Sequence, residues 1–450
     1  MSELTKFSAF TALCVCALAQ TAVRGADEPT FAKDIAPIVM QNCASCHRPE
    51  GAAPFSLVSY EDVKRRGRQV AQVTQSRFMP PWLPSRDAAC VPLEGSRGLS
   101  DEQIATIKKW IEAEMPRGDE AVAPTVPTFK SGWTLGQPDL ILTMPEPYIM
   151  VAGDSDILRS FVIPVELDED KLITAIELWP DNPRALHHVS FLIDMTGTAR
   201  MLDDADPGPG YYGMSDIGLN QTGSYGGWSL GAPVMRYPAG IVRRLPAKCD
   251  FVVNIHFNAT GKTEAHQVKV GLHYAKPDAG ELRELHTVTL GSNAFAVKAE
   301  TKRTDVTDEF VLPVDVRLVG LSAHAHYLCS RMNVTATLPD GTTKCLLKVD
   351  DWDFNWQQPY QLKEPLPLPA GTRLRMEFDY DNTSANPRNP RVPPKDVRVG
   401  HDITDEMALM LLFVTAANPE DEAKLDEAHN NKQIQRLQDA GDWAVRTRQQ

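Results

Sequence analysis

Cys43–Ala44–Ser45–Cys46–His47 sets two thiols and an imidazole within one short run. That spacing suits thioether attachment of a haem through both cysteines, with the histidine as an axial ligand of the iron. A zinc or disulfide C-x-x-C that happens to precede a histidine is the other reading. Zinc would want a second ligand pair nearby, and only Cys90 is at hand. Met79, in Phe78–Met79–Pro80–Pro81–Trp82, is the expected sixth ligand, because the prolines beside it fix a non-helical loop. A buried core methionine is the alternative for Met79, and Met40 and Met115 compete from within expected helices. A thioether ligand raises the potential of a haem, which suits electron transfer better than gas binding.

Three histidine clusters follow: His187–His188, then His256, then His324 and His326. Residues two apart on a strand leave the same face, so His324 and His326 are spaced for two-imidazole chelation. His256 falls on the face opposite Phe251, Val253, Ile255 and Phe257. Adjacent His187 and His188 would point to opposite faces of a regular strand, so joint ligation needs a bulge or a strand end. His266, His273, His286, His401 and His429 lack a ligand-like pattern. Imidazoles alone accept zinc, copper, nickel or iron.

The elements that must carry these groups divide the chain. Residues 30 to about 118 read as helical: Ile35, Ile38 and Val39 lie at helical spacing, and Ser100 with Gln103 forms a capping-box pattern before Ile104, Ile107 and Ile111. Pro116–Arg117–Gly118 stops that helix. A proline-rich linker follows over 120–131, and from 132 to 417 short alternating runs separated by Pro, Gly, Asp and Asn read as strands. Pro339–Asp340–Gly341 divides two of them as a hairpin would. This texture predicts two β-sandwiches in series, with boundaries near 132–288 and 289–417. The charged tail, 418–450, is a surface helix or disordered.

With 450 residues, 42% of them hydrophobic, the chain has length for about three domains. A net charge of -13 argues against nucleic acid as a partner. Lys6 and the apolar run from Phe7 to Ala19 read as a signal peptide over 1–26, with cleavage after Ala19, Ala22 or Ala26; an uncleaved anchor is the alternative. No later segment is apolar enough for membrane insertion, so a periplasmic or secreted bacterial protein is expected. Of eight cysteines, Cys14 and Cys16 leave with the leader, while Cys90, Cys249, Cys329 and Cys345 suit one or two disulfides whose pairing stays open.

Read together, these segments resemble the copper type II, ascorbate-dependent monooxygenases, the family of peptidylglycine α-hydroxylating monooxygenase and dopamine β-hydroxylase. The resemblance covers roughly 132–417 and rests on the order and spacing of several motifs. It implies that His187, His188 and His256 hold one copper, and that His324, His326 and Met407 hold a second, at which O2 is activated toward a C–H bond. Met376 and Met410 compete with Met407, and only the resemblance excludes them. The stretch from Asp381 to Pro387 lies in the position expected between these motifs. The fold it implies for 132–417 is two all-β antiparallel jelly-roll sandwiches of eight strands, one per copper, facing each other across a solvent-filled gap; the helical segment carrying Cys43–His47 reads separately as a small all-α cytochrome c domain (27–119) in front of them. A soft thioether beside two imidazoles agrees with Cu(I).

Two departures narrow what the resemblance implies. Where the peptide-processing members carry an Arg that grips a substrate carboxylate, this chain has Ser322, and where they carry Asn and Tyr it has Leu409 and Leu411. Losing that charged fork points to a small, uncharged or apolar substrate. The fused haem segment offers a refill route for electrons from an external donor, either an ascorbate-like reductant or a redox protein. The expectation is therefore a copper-dependent monooxygenase with two copper ions, one haem c, O2 and a small-molecule substrate. A non-catalytic haem/copper electron-transfer or copper-binding protein is the alternative, and a zinc or copper hydrolase is disfavoured because no H-E-x-x-H motif occurs.

Overall fold

The computed structural model describes residues 28–49, 51–86, 89–129, 132–153, 156–213, 224–232 and 234–448. The leader expected over 1–26, with Cys14 and Cys16, lies outside them.

A turn at Phe31–Ile35 runs into helix α1 (Ala36–Asn42), followed by α2 (Tyr60–Gln75) and α3 (Asp101–Glu112). Ser59 caps α2 by accepting the Asp62 N–H, and at α3 Ser100 and Gln103 cap each other's backbone reciprocally. Ile35, Val63, Val70, Ile107 and Trp110 close one apolar cluster between them. Each such buried side chain stabilises by about 1.5–3 kcal/mol relative to exposure.

Between α2 and α3 the chain leaves helix altogether. Pro84 bridges to Val349, Cys90 to Cys345 and Leu93 to Leu362, while Trp82, Leu83 and Val91 pack on the core of the last sheets. Cys90 and Cys345 are joined by a disulfide across 255 residues, and Cys249 and Cys329 are free and buried. The expected all-α cytochrome domain is thereby overturned. The helices form a cluster whose own connecting segment is stitched into β-sheet, and among the described residues strand far outweighs helix. Helical periodicity at Ile35 or Ile107 reports only local structure, and the strap at 78–99 has no periodicity to read. Cys345→Ser should lower stability by about 2–5 kcal/mol; denaturant unfolding without reductant measures it.

Four principal sheets make up the rest. The first pair comprises a six-stranded sheet centred on Lys171–Pro180 and Val268–Tyr274, and a five-stranded sheet ordered Tyr211–Tyr212, Ile157–Glu166, Lys248–Phe257, Leu186–Asp194, Ser224–Ser229. Phe161, Phe191, Phe251, Ile255 and Val270 fill the space between them. The second pair comprises a sheet ordered His286–Gly291, Leu409–Ala416, Val316–His324, Tyr360–Leu368, and another of Thr304–Val311, Arg373–Tyr380, Cys329–Thr337 and Thr343–Val349. Val319 and Phe413 belong to the first core although they sit on the second pair, so the two bodies share packing.

Two eight-stranded antiparallel jelly rolls are likewise not what forms. The first body has sheets of six and five strands, Arg283–Glu284 runs parallel to Ile241–Leu245, and two further two-stranded pairs flank the main sheets. Alternation of side chains shows that a segment is a strand but not which distant strand it pairs with.

The tail is a docked helix, α4 (Glu422–Arg448). His429 Nε2 accepts the Thr289 N–H at 3.0 Å and Gln433 donates to Thr289 O at 3.1 Å. No helix among the described residues is long and apolar enough to cross a membrane.

Candidate metal centre

The strand carrying His187 and His188 is irregular where the chemistry needs it to be. His256 stands opposite His188 while the next residue, Phe257, stands opposite Leu186, so His187 is the extra residue of a bulge. Both neighbours can therefore face His256: the His187 ring stacks on it at 4.8 Å and the His188 ring meets it edge-on at 5.0 Å. His256 is 1% exposed, and neither of its ring nitrogens makes a hydrogen bond; His188 Nδ1 is also buried without one. Burial, reinforced by the neighbouring imidazoles, holds His188 well below its ordinary value and His256 down at about 4, so both are neutral lone-pair donors. Asp156, which belongs to no motif in the sequence, lies against this group. It is held below the ordinary carboxylate value: burial raises it, but the hydrogen bonds from His187 and the Ala259 N–H outweigh that.

His324 ends its strand, and His326 lies just beyond it, with the two rings 5.2 Å apart. Gln357 Oε1 takes the His324 Nδ1–H at 2.6 Å, and Asp405 O takes the His326 Nδ1–H at 3.1 Å. Both tautomers are thereby set with the Nε2 lone pair free. Burial presses His324 to about 4 and His326 to about 3. Glu406 ties the group together from beneath, its carboxyl accepting the backbone N–H of His326, Leu328 and Met407. The Trp352 indole donates to His326 O at 3.1 Å. Met407 lines one small cavity with His324, His326 and His188, whereas Met376 and Met410 are buried in the core of the second sheet pair. His401, which carries no pattern in sequence, lines the same cavity, and its Nδ1 is buried without a partner. His273 and His286 are held by Glu177 and Asp426 instead.

The space between the two ligand sets differs from the expected solvent-filled gap. It is a cavity of about 20 Å³, room for about one water, and the Phe354 ring packs at 5.3–5.9 Å against His188, His256 and His326. Beside it a second cavity of about 80 Å³ is lined by His188, His324, Trp228, Ser322, Leu409 and Leu411 among others, none of them an acidic residue, Lys or Arg. Among the described residues no three His, Cys, Asp or Glu side chains have closed to coordination distance. The residues nonetheless fit an ion: several buried imidazole nitrogens have no other partner, which is costly unless something binds them.

Around the C-x-x-C-H run, α1 delivers Cys43 at its C-terminus, and the His47 N–H returns to Cys43 O at 2.9 Å. His47 Nδ1 faces Phe55 O at 3.1 Å, which leaves Nε2 for an axial bond, and burial keeps the ring below its ordinary value. Both thiols are unpaired, so the run fits a thioether-linked haem. Gly231 faces Cys46 so closely that a side chain there would strike the sulfur, and Arg97 donates to Gly231 O and to Gln358 Oε1. Next to it, the Leu230 N–H reaches His187 O at 3.4 Å. Met79 lies half-buried in the turn after α2, its N–H on Val73 O. Met40 is within α1, but Met115 lies past the end of α3 and packs on Gly67, so it serves the helix contact. Were a haem attached at Cys43 and Cys46, Met79→Ala would change its axial ligation and potential while leaving copper content alone, as optical spectra, redox titration and metal analysis would show.

No family model matches this chain, and no curated protein matches it either. Among solved structures it is similar to PNGF-II at 9% identity and a TM-score of 0.27, over 61% of this chain and 65% of that one. It is also similar to a structure of infectious bursal disease virus, Gx strain, at 11% identity and a TM-score of 0.16, over 63% and 81% of the two chains. The chain thus spans 65% of the length of PNGF-II, and likenesses this weak carry no argument about fold or function.

Proposed function

We propose that this chain is an exported, periplasmic or secreted, copper-dependent monooxygenase that inserts oxygen from O2 into a C–H bond of a small uncharged molecule. The observation that carries the reading is the meeting of His188, His324, His326 and Met407 at one cavity, with His187 and His256 directly behind. His187, His188 and His256 would hold one copper; His324, His326 and Met407 the other; Cys43, Cys46 and His47, with Met79, the haem. When bound, the coppers supply O2 activation and one-electron storage, and the haem supplies one-electron carriage.

The chain's own residues do the rest. Gln357 and Asp405 fix the tautomers of His324 and His326, and Glu406 locks the backbone of His326 to that of Met407. Ser322, Leu409 and Leu411, the three positions that depart from the peptide-processing pattern, all line the 80 Å³ cavity. Leu192 and Trp228 supply an apolar wall there, and the amides of Gln357 and Gln358 are the larger polar groups. Such a pocket suits an uncharged molecule, because it holds no Lys or Arg side chain to grip a carboxylate. Cys46 against Gly231, with Leu230 bonded to His187, seats the haem-attachment loop beside the three-histidine set and favours that set as the place where electrons from an external donor arrive.

Screening small uncharged metabolites under ¹⁸O₂, with ascorbate as the two-electron donor, tests this reading. Substrate-dependent O2 uptake with one ¹⁸O in the product is expected. Copper and haem incorporation without any such uptake would leave a non-catalytic electron-transfer protein instead.

A further inference from the structure

We infer that Asp156 is a fourth donor of the three-histidine site, binding the ion through Oδ2. This rests on the reading of His187, His188 and His256 as metal ligands. Asp156 immediately precedes the Ile157–Glu166 strand, which pairs with the strand carrying His256. Its Oδ1 is engaged by the Ala259 N–H at 3.0 Å, so the carboxylate is anchored through one oxygen and presents the other. Oδ2 stands 3.3 Å from His187 Nε2 and 3.8 Å from His256 Nε2. The first is at most a long hydrogen bond from His187, and the second is beyond hydrogen-bond reach. Two donors each about 2.1 Å from one ion stand roughly 3.0–3.4 Å apart, so the shorter separation fits the edge of a shared coordination sphere and the longer needs only a small ring movement. The stacked arrangement of the His187 and His256 rings brings both Nε2 atoms to the same oxygen. His256 Nε2 is buried with no hydrogen bond, so nothing on the protein competes for its lone pair.

A carboxylate among imidazoles makes the site harder and favours Cu(II), unlike the second set with its thioether. The two sites are then chemically graded, one suited to hold the oxidised ion and one the reduced.

The test uses the full-length protein with its haem, stripped of copper and reloaded with Cu(II). Asp156→Asn keeps an acceptor for the Ala259 N–H, and an unchanged haem spectrum and circular dichroism confirm folding. Chelator competition should show Cu(II) binding weakened about tenfold to a hundredfold, and the Cu(II) electron paramagnetic resonance signal of that site should shift. Binding and signal identical to the unsubstituted protein would overturn the assignment. So would weaker binding with an unchanged signal, which makes Asp156 a positioning residue for His187 only. His256→Ala is the companion: if it too leaves copper stoichiometry and signal untouched, the three-histidine site itself is wrong.

Discussion

Met407→Ile should abolish substrate-dependent O2 uptake, by more than about a hundredfold, while the haem absorption spectrum stays as it was. The side chain is 6% exposed and faces the cavity it shares with His324 and His326. Its backbone is held on both sides, by the Glu406 carboxyl at its N–H and by the Tyr380 hydroxyl, which donates to its carbonyl at 2.7 Å. Isoleucine is similar in volume, so the fold should lose no more than about 1.5 kcal/mol. What disappears is the sulfur, the one soft donor of the set, and with it the preference for Cu(I). Met376→Ile and Met410→Ile are the matched controls, since both sulfurs lie in the core of the second sheet pair, and copper content should survive them. Unchanged copper and unchanged activity in Met407→Ile would mean that the ligand is misassigned.

The copper-free protein should be most stable near pH 6.5 and lose stability on both sides. His188, His256, His324 and His326 are all pushed below the ordinary 6.5 by burial, the last three to about 4, 4 and 3. Below pH 6.5 the unfolded chain takes up protons that the folded chain refuses, so stability is complete above 6.5 and falls as pH drops toward 4. A tenfold difference in proton affinity between the folded and unfolded chain is worth about 1.4 kcal/mol per group, so the loss is on the order of several kcal/mol. Glu406 works in the other direction. Burial raises its carboxyl to about 8, so its contribution is present below 4.5 and is lost as pH climbs to about 8. These four, joined by His429, which burial also holds at about 4, and by the lowered His47, outweigh Glu406 on the acid side, and Glu406 shapes the decline above 6.5. Thermal unfolding midpoints from pH 4 to 8 in the presence of chelator measure this. Glu406→Gln should flatten the decline above 6.5, and a midpoint that rises steadily from pH 6.5 down to 4 would contradict the assignment.

How much of this was legible in the sequence follows from the range of each interaction. Cys43–His47 carries its chemistry within one turn of chain, and the capping box at Ser100 and Gln103 is equally local. The pair His187–His188 even stated its own requirement, because adjacent residues of a regular strand diverge, and the bulge is where that requirement places it. Asp156 and Phe354 left no such trace. Each is a single residue of a common type, brought to the histidines by strands or turns remote in sequence. Cys90 and Cys345 are similarly mute, since nothing local distinguishes a cysteine whose partner is 255 residues away. The expectation of an independent helical domain failed for the same reason: the helices were readable, the strap that binds them to the sheets was not. His401 is the instructive miss, an isolated histidine that the fold delivers to the same cavity as His324 and His326. Docking of α4 was hidden too, because beside Leu425 most of its buried face is polar, His429, Gln433 and Arg436.

Metal analysis of the exported full-length protein bears most directly on the central claim. About two coppers and one haem iron per chain are expected, with copper lost in steps when His256 and then Met407 are replaced. A protein holding zinc alone, or haem iron without copper, would contradict it.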